Sequence, residues 1–266
     1  MKAALAASTP LAFTALRFAI AAGVLIPFAR LRAPFLPGEL RAGALLGGLL
    51  AVGFAAQAVG LVSTTPARSA FIVASSSVLT PVVAFVAVRE HPRTSVLVAL
   101  GLAGVGIYLL SAPAAGGLNR GDLLTLLTAL CFAGQIVAVS AVSGRYDPVR
   151  LVWMQIVGTA LGAGAAAAVF EHARLRLTPG FLGALAYAAV FATALALLWQ
   201  MQAQRHMSAA RAALLFCLEP VFAALTSWAW FGERLSVPQW AGGGLILAGM
   251  ALASLPRPGD ERARHV

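Results

Sequence analysis

Glu219 is the residue in this chain best placed to do chemistry. It stands beside Pro220 inside an apolar run, RAALLFCLEPVFAALTSWAWF, from Arg211 to Phe231. A carboxylate at membrane depth is costly and ordinarily faces a protein interior or a watery path, where it can take a proton, hold a cation or sense a substrate amine. The competing reading is structural, an ion-paired or hydrogen-bonded group that fixes helix packing. Four glutamines, Gln57, Gln135, Gln155 and Gln200, also fall within apolar runs, and Trp199 adjoins the last of them. An amide in such a place either bonds across helices or lines a cavity. Arg17 interrupts the first apolar run; it is a possible partner for Glu219, or else it lies near a membrane surface. Catalytic and metal chemistry find no comparable support. The histidines His91, His172, His206 and His265 are scattered, no C-x-x-C occurs, and Cys131 and Cys217 sit in apolar runs as small hydrophobes. No phosphate-binding G-x-x-x-x-G-K-[ST] is present, and no cofactor is implied.

The elements that must position these residues follow from composition. Hydrophobic residues make up 60% of the 266, charged residues 11%, and mean hydropathy is +0.87. A soluble domain carries about 25% charged residues, so this chain is an integral membrane protein. Apolar runs near 9–29, 39–62, 67–88, 94–112, 121–143, 148–170, 180–203, 208–231 and 237–255 each approach the roughly 20 residues that span a bilayer. The expectation is an all-α membrane protein, a bundle of nine transmembrane helices. The formal charge of +10 does not mark a nucleic-acid binder: the 19 basic residues are spread singly, mostly at helix ends. Twelve of them collect on one side and six on the other, which puts the C-terminus in the cytoplasm. The small-residue pairs Gly43/Gly47 and Gly158/Gly162 read as close helix contacts.

A shift of 143 residues superposes Arg68 on Arg211, Glu90 on Glu233, Gly101 on Gly244, Gly106 on Gly249 and Ser111 on Ser254. Glu90 and Glu233 then belong to loops on opposite sides, the mark of an inverted-topology repeat with its site between the halves. Specific motifs lie on this frame. Ser8-Thr9-Pro10-Leu11 runs into Ala15-Leu16-Arg17-Phe18, and Gly121-Asp122-Leu123-Leu124 opens the second half. Ser208-Ala209-Ala210-Arg211-Ala212, Leu218-Glu219-Pro220-Val221-Phe222 and Gly232-Glu233-Arg234-Leu235 follow, before a glycine-rich last helix. In order and spacing the chain resembles the drug/metabolite transporter superfamily, of the EamA-like type.

That resemblance implies two inverted five-helix repeats and ten helices. Residues 1–112 would be the first repeat, lacking its first helix, either through a mis-assigned start or a truncation. A connecting loop at 113–120, the second repeat at 121–255 and a polar cytoplasmic tail at 256–266 complete the expected division. The resemblance further implies that the helices bearing Gln57, Gln135, Gln200 and Glu219 surround a central cavity. The expected function is a secondary transporter of a bacterial inner membrane, exporting amino acids or related small metabolites by alternating access. Its partners would be a small-molecule substrate and the lipid bilayer, with no nucleic acid; monomer and dimer stay open. A non-transporting or accessory membrane protein is the alternative, and a membrane-embedded enzyme ranks below it.

Overall fold

The computed structural model describes residues 8–29, 34–111, 119–171, 175–231 and 236–254. The polar tail, most of the 113–120 loop and the Gly232–Leu235 turn lie outside them. The described residues form nine helical rods and no strand; Ser8 and Leu175 make one isolated antiparallel bridge. In chain order the helices are α1 (Pro10–Leu25, prolonged by a 3-10 turn to Phe28) and α2 (Glu39–Gly60). Next come α3 (Pro66–Ala74) and α4 (Ser76–Val88), two segments of one broken rod, and α5 (Thr94–Ser111). Then follow α6 (Arg120–Val142), α7 (Pro148–Phe170), and α8 (Pro179–Ala189), which a π-helical turn joins to α9 (Ala196–Gln204). The broken rod α10 (Ala209–Phe216) and α11 (Glu219–Phe231) precedes α12 (Val237–Ser254). Seven rods are long and apolar enough to cross a membrane, and α5 and α12 are apolar but shorter.

Local sequence accounts for the ends. Prolines open α1, α3, α7 and α8, where their missing N–H would be unpaired anyway. Thr65, Asp147, Thr178 and Ser208 each accept a backbone N–H as N-caps, and Asn119 with Asp122 forms a capping box on α6. Glu171 serves α1 from a distance, accepting the N–H groups of Leu11 and Ala12 at 2.9 and 3.2 Å.

Shifting α5 by 143 residues gives the bounds of α12, and shifting α4 gives those of α11. The breaks coincide too, at Ser75 in the first half and Cys217–Leu218 in the second. Pro220, which cannot donate to Phe216, accounts for the second break; at the first, the Ser75 hydroxyl bonds back to the Ile72 carbonyl at 2.5 Å.

The matched helices α5 and α12 pack antiparallel against each other. A Cβ on Gly106 would lie 2.6 Å from the Gly242 carbonyl oxygen, and one on Gly249 would lie 2.7 Å from that of Ala99. Exchanging the halves turns the first contact into the second, since 106 and 242 map onto 249 and 99. The two halves therefore meet across a pseudo-two-fold axis, the geometry of an inverted repeat. In α2 and α7, Gly47 and Gly158 touch backbone to backbone, a Cβ on Gly47 falling 3.0 Å from the Gly158 Cα.

Two ion pairs pin the rod ends. Arg150 donates to Glu39 through Nε at 2.6 Å and Nη2 at 2.8 Å, and both residues are buried. Asp122 meets Arg68 at 2.6 Å and takes the Thr64 hydroxyl at 2.6 Å, fastening the start of α3 to the start of α6.

Candidate functional site

A cavity of about 860 Å³ opens between the halves. Arg17 and Phe18 of α1, Leu50, Phe54 and Gln57 of α2, and Ser76 and Ser77 of α4 line one side. Phe132 and Gln135 of α6, Leu197 and Gln200 of α9, and Phe216, Glu219 and Pro220 at the second break line the rest. Among these described residues Arg17 and Glu219 alone are charged. The break in the α10–α11 rod brings Glu219 there: it is the first residue of α11, it is exposed, and its surface belongs to the cavity. Its counterpart under the 143-residue shift is Ser76, the first residue of α4, which lines the same space.

Arg17 stands midway along α1. Its guanidinium lies over the rings of Phe18 and Phe54, with centroids at 4.9 and 5.4 Å. Its Nε is buried and finds no hydrogen-bond partner among the described residues.

The glutamines form a ladder. Gln135 donates to Gln155 at 3.4 Å and accepts from Gln200 at 3.0 Å; Gln200 donates also to Gln204 at 3.0 Å. Gln204 in turn donates to the Ile136 carbonyl at 3.0 Å and the Ser140 hydroxyl at 2.9 Å. Gln135 and Gln200 line the central cavity, while Gln204 and Ser140 line a second one of about 440 Å³ at the end of the bundle, with Glu90, Arg93 and Arg211. The bonded amides stand between the two spaces. Gln57, the counterpart of Gln200 in the first half, makes no side-chain hydrogen bond among the described residues, although it too lines the central cavity.

The residues singled out in the sequence thus fall into three groups. Arg17, Gln57, Gln135, Gln200 and Glu219 share the central cavity. Gln155 is buried behind it and touches it through Gln135. Trp199 stands on the outer surface, 66% exposed, and is not part of the lining; residues 199 and 200 necessarily point to different faces of α9. Sequence reasoning passed over Gln204, whose signal was its position four residues after Gln200 on one helix face, and Gln239, which also lines the cavity and donates to the Leu110 carbonyl at 3.3 Å. The described residues hold no group of three metal-binding side chains.

Comparison with known proteins gives this geometry a setting. The model of the EamA-like transporter family matches residues 1–112 and again 119–255. An uncharacterized transporter of Archaeoglobus fulgidus is 31% identical over 255 residues, 96% of this chain and 80% of that protein. The uncharacterized transporter YyaM of Bacillus subtilis is 25% identical over 266 residues, covering 92% of this chain and 85% of the relative. A solved crystal structure shares the fold with a TM-score of 0.80 at 18% identity, over 92% of this chain and 89% of that one.

Proposed function

Because the chain belongs to the EamA-like transporter family, a family of multi-pass membrane transporters, we propose that it is a secondary transporter exporting amino acids or related small metabolites. Its halves would be the two family-model segments, 1–112 and 119–255. Transport proceeds by alternating access, the halves rocking around the central cavity. The observation that carries this reading is a cavity lined by both halves and parted from the end cavity by hydrogen-bonded glutamines, with a matched glutamine, Gln57, left unbonded in the other half. A device that opens one end at a time needs such an asymmetry between equivalent groups. The direction is out of the cell, across a bacterial inner membrane, with the C-terminus on the cytoplasmic side where the basic residues concentrate.

Nothing in the sequence resembles a nucleotide-binding loop, which favours coupling to an ion gradient or exchange. Glu219 is the carboxylate in the cavity, with Arg17 the only other charged group lining it among the described residues, and it serves as the proton-accepting group.

Efflux of an amino-acid panel from cells expressing the chain tests the function. Loss of pH dependence in whatever transport Glu219→Gln keeps tests the coupling. No efflux of any panel member above that of cells lacking the protein would overturn the transport reading, and an unchanged pH profile in the variant would remove Glu219 from the proton path.

A further inference from the structure

Arg17 presents an unanswered question. A guanidinium at membrane depth ordinarily pairs with a carboxylate or with backbone carbonyls, yet its Nε is buried and unbonded among the described residues. What it does contact are the rings of Phe18 and Phe54, its Cζ lying 4.9 and 5.4 Å from their centroids. Cation–π attraction to aromatic rings makes no use of carboxylate-type acceptors. The guanidinium N–H fork matches a carboxylate two bonds at a time. The phenylalanines hold the group beside the cavity it lines, and its Nε is left without a hydrogen-bond partner among the described residues.

The same cavity holds one exposed carboxylate, Glu219. Much of the remaining wall is apolar, with Leu50, Phe132, Leu197 and Phe216 among it. One fixed cation, one fixed anion and an apolar wall complement a solute with an oxyanion, an ammonium and an apolar side chain. We propose that the central cavity recognises zwitterionic α-amino acids with apolar side chains, Arg17 taking the carboxylate and Glu219 the ammonium. The assignment rests on the transport reading above and narrows it. It makes Arg17 a specificity-determining residue: a solute lacking the carboxylate leaves a buried guanidinium unpaired, and one lacking the amine leaves the carboxylate unanswered. A site that pairs both charged ends of a solute rejects analogues that lack one more strongly than a hydrophobic wall rejects a missing methylene.

The test uses the full chain, purified and reconstituted, with three probes that differ only in their charged ends: L-leucine, isoamylamine (no carboxylate) and 4-methylpentanoate (no amine). Binding is read by displacement of radiolabelled L-leucine. Wild type is expected to favour leucine over either fragment by at least 10-fold. Arg17→Gln should lower leucine affinity at least 10-fold, to the level of isoamylamine, while isoamylamine itself is unchanged. Glu219→Gln should do the same relative to 4-methylpentanoate. Arg17→Lys, which keeps the charge and loses the fork, should fall between wild type and Arg17→Gln. The inference is overturned if wild type fails to bind leucine, if it binds the fragments as well as leucine, or if Arg17→Gln keeps the wild-type preference for leucine over isoamylamine. Should the variants fail to fold, the wild-type ranking of the three probes decides. Efflux of other solutes in the cellular panel, without leucine binding, would sink this substrate class and leave the transport reading standing.

Discussion

Replacing Gln204 with leucine should shift the balance between the two open states. Leucine is of comparable bulk but shorter and branched, and the Gln204 amide makes three hydrogen bonds: to the Ile136 carbonyl, to the Ser140 hydroxyl and from Gln200. Two of these, to Ile136 and Ser140, cross from α9 to α6; interhelical hydrogen bonds within membrane proteins average about 0.6 kcal/mol, so losing both weakens the closure by roughly 1.2 kcal/mol. At about 1.36 kcal/mol per factor of ten, that raises the population open at the Glu90–Arg211 end about 8-fold. The Ile136 carbonyl keeps its helical partner, so no buried backbone group is orphaned. The assay is thiol labelling of Ala224→Cys, a half-buried position lining the central cavity, with Cys131 and Cys217 replaced by alanine. An impermeant reagent is added to sealed vesicles of either orientation. With Gln204 intact, labelling is expected predominantly from one side; with Gln204→Leu, the rate from the opposite side should rise about 8-fold. An unchanged rate from that side, in a variant that folds normally, would refute the assignment of the ladder as the closure.

Other substitutions probe the frame. Glu39→Ala removes both carboxylate bonds from the buried Arg150 guanidinium, and the acceptor that the Leu36 N–H meets at 3.0 Å. It should cost about 3–5 kcal/mol, seen as a large drop in unfolding temperature in detergent. Arg68→Ala should cost less by the same measurement, because Arg68 is partly exposed and Asp122 keeps the Thr64 and Asn119 bonds. Gly106→Ala would drive a Cβ against the Gly242 carbonyl and should destabilise by roughly 1–3 kcal/mol. Gly101→Ala, on the same helix but with nothing within 4 Å of its Cβ, should leave the unfolding temperature close to wild type.

The rods were legible because bilayer thickness imposes a length on every apolar run, and Pro66, Pro148 and Pro179 mark starts in any environment. The break at Ser75 was not legible, since the apolar pattern continues through it; at Cys217–Leu218 the pattern also continues, and Pro220 was the one residue that carried a signal. Facing was the hardest property to read. In water the buried stripe of a helix stands out against a polar one, but in lipid both faces are apolar, so Trp199 looked as inward as Gln200. The glutamines were visible as polar groups in apolar runs, yet their order in the ladder depends on α6, α7 and α9 meeting, and only the folded arrangement sets that. The Glu39–Arg150 pair joins residues 111 apart, beyond any local pattern.

The contact between α5 and α12 has a consequence for motion. Its two glycine crossings, Gly106 on Gly242 and Gly249 on Ala99, trade places when the halves exchange roles. A joint that maps onto itself needs no remaking as the molecule changes shape, so it can act as an axle while contacts elsewhere open and close in turn. The glycines bring the two backbones into close approach at both crossings, where the Ile246 side chain seats against Gly106. Bulk introduced there would act as friction, slowing turnover at every substrate concentration while leaving the affinity of the cavity as it was.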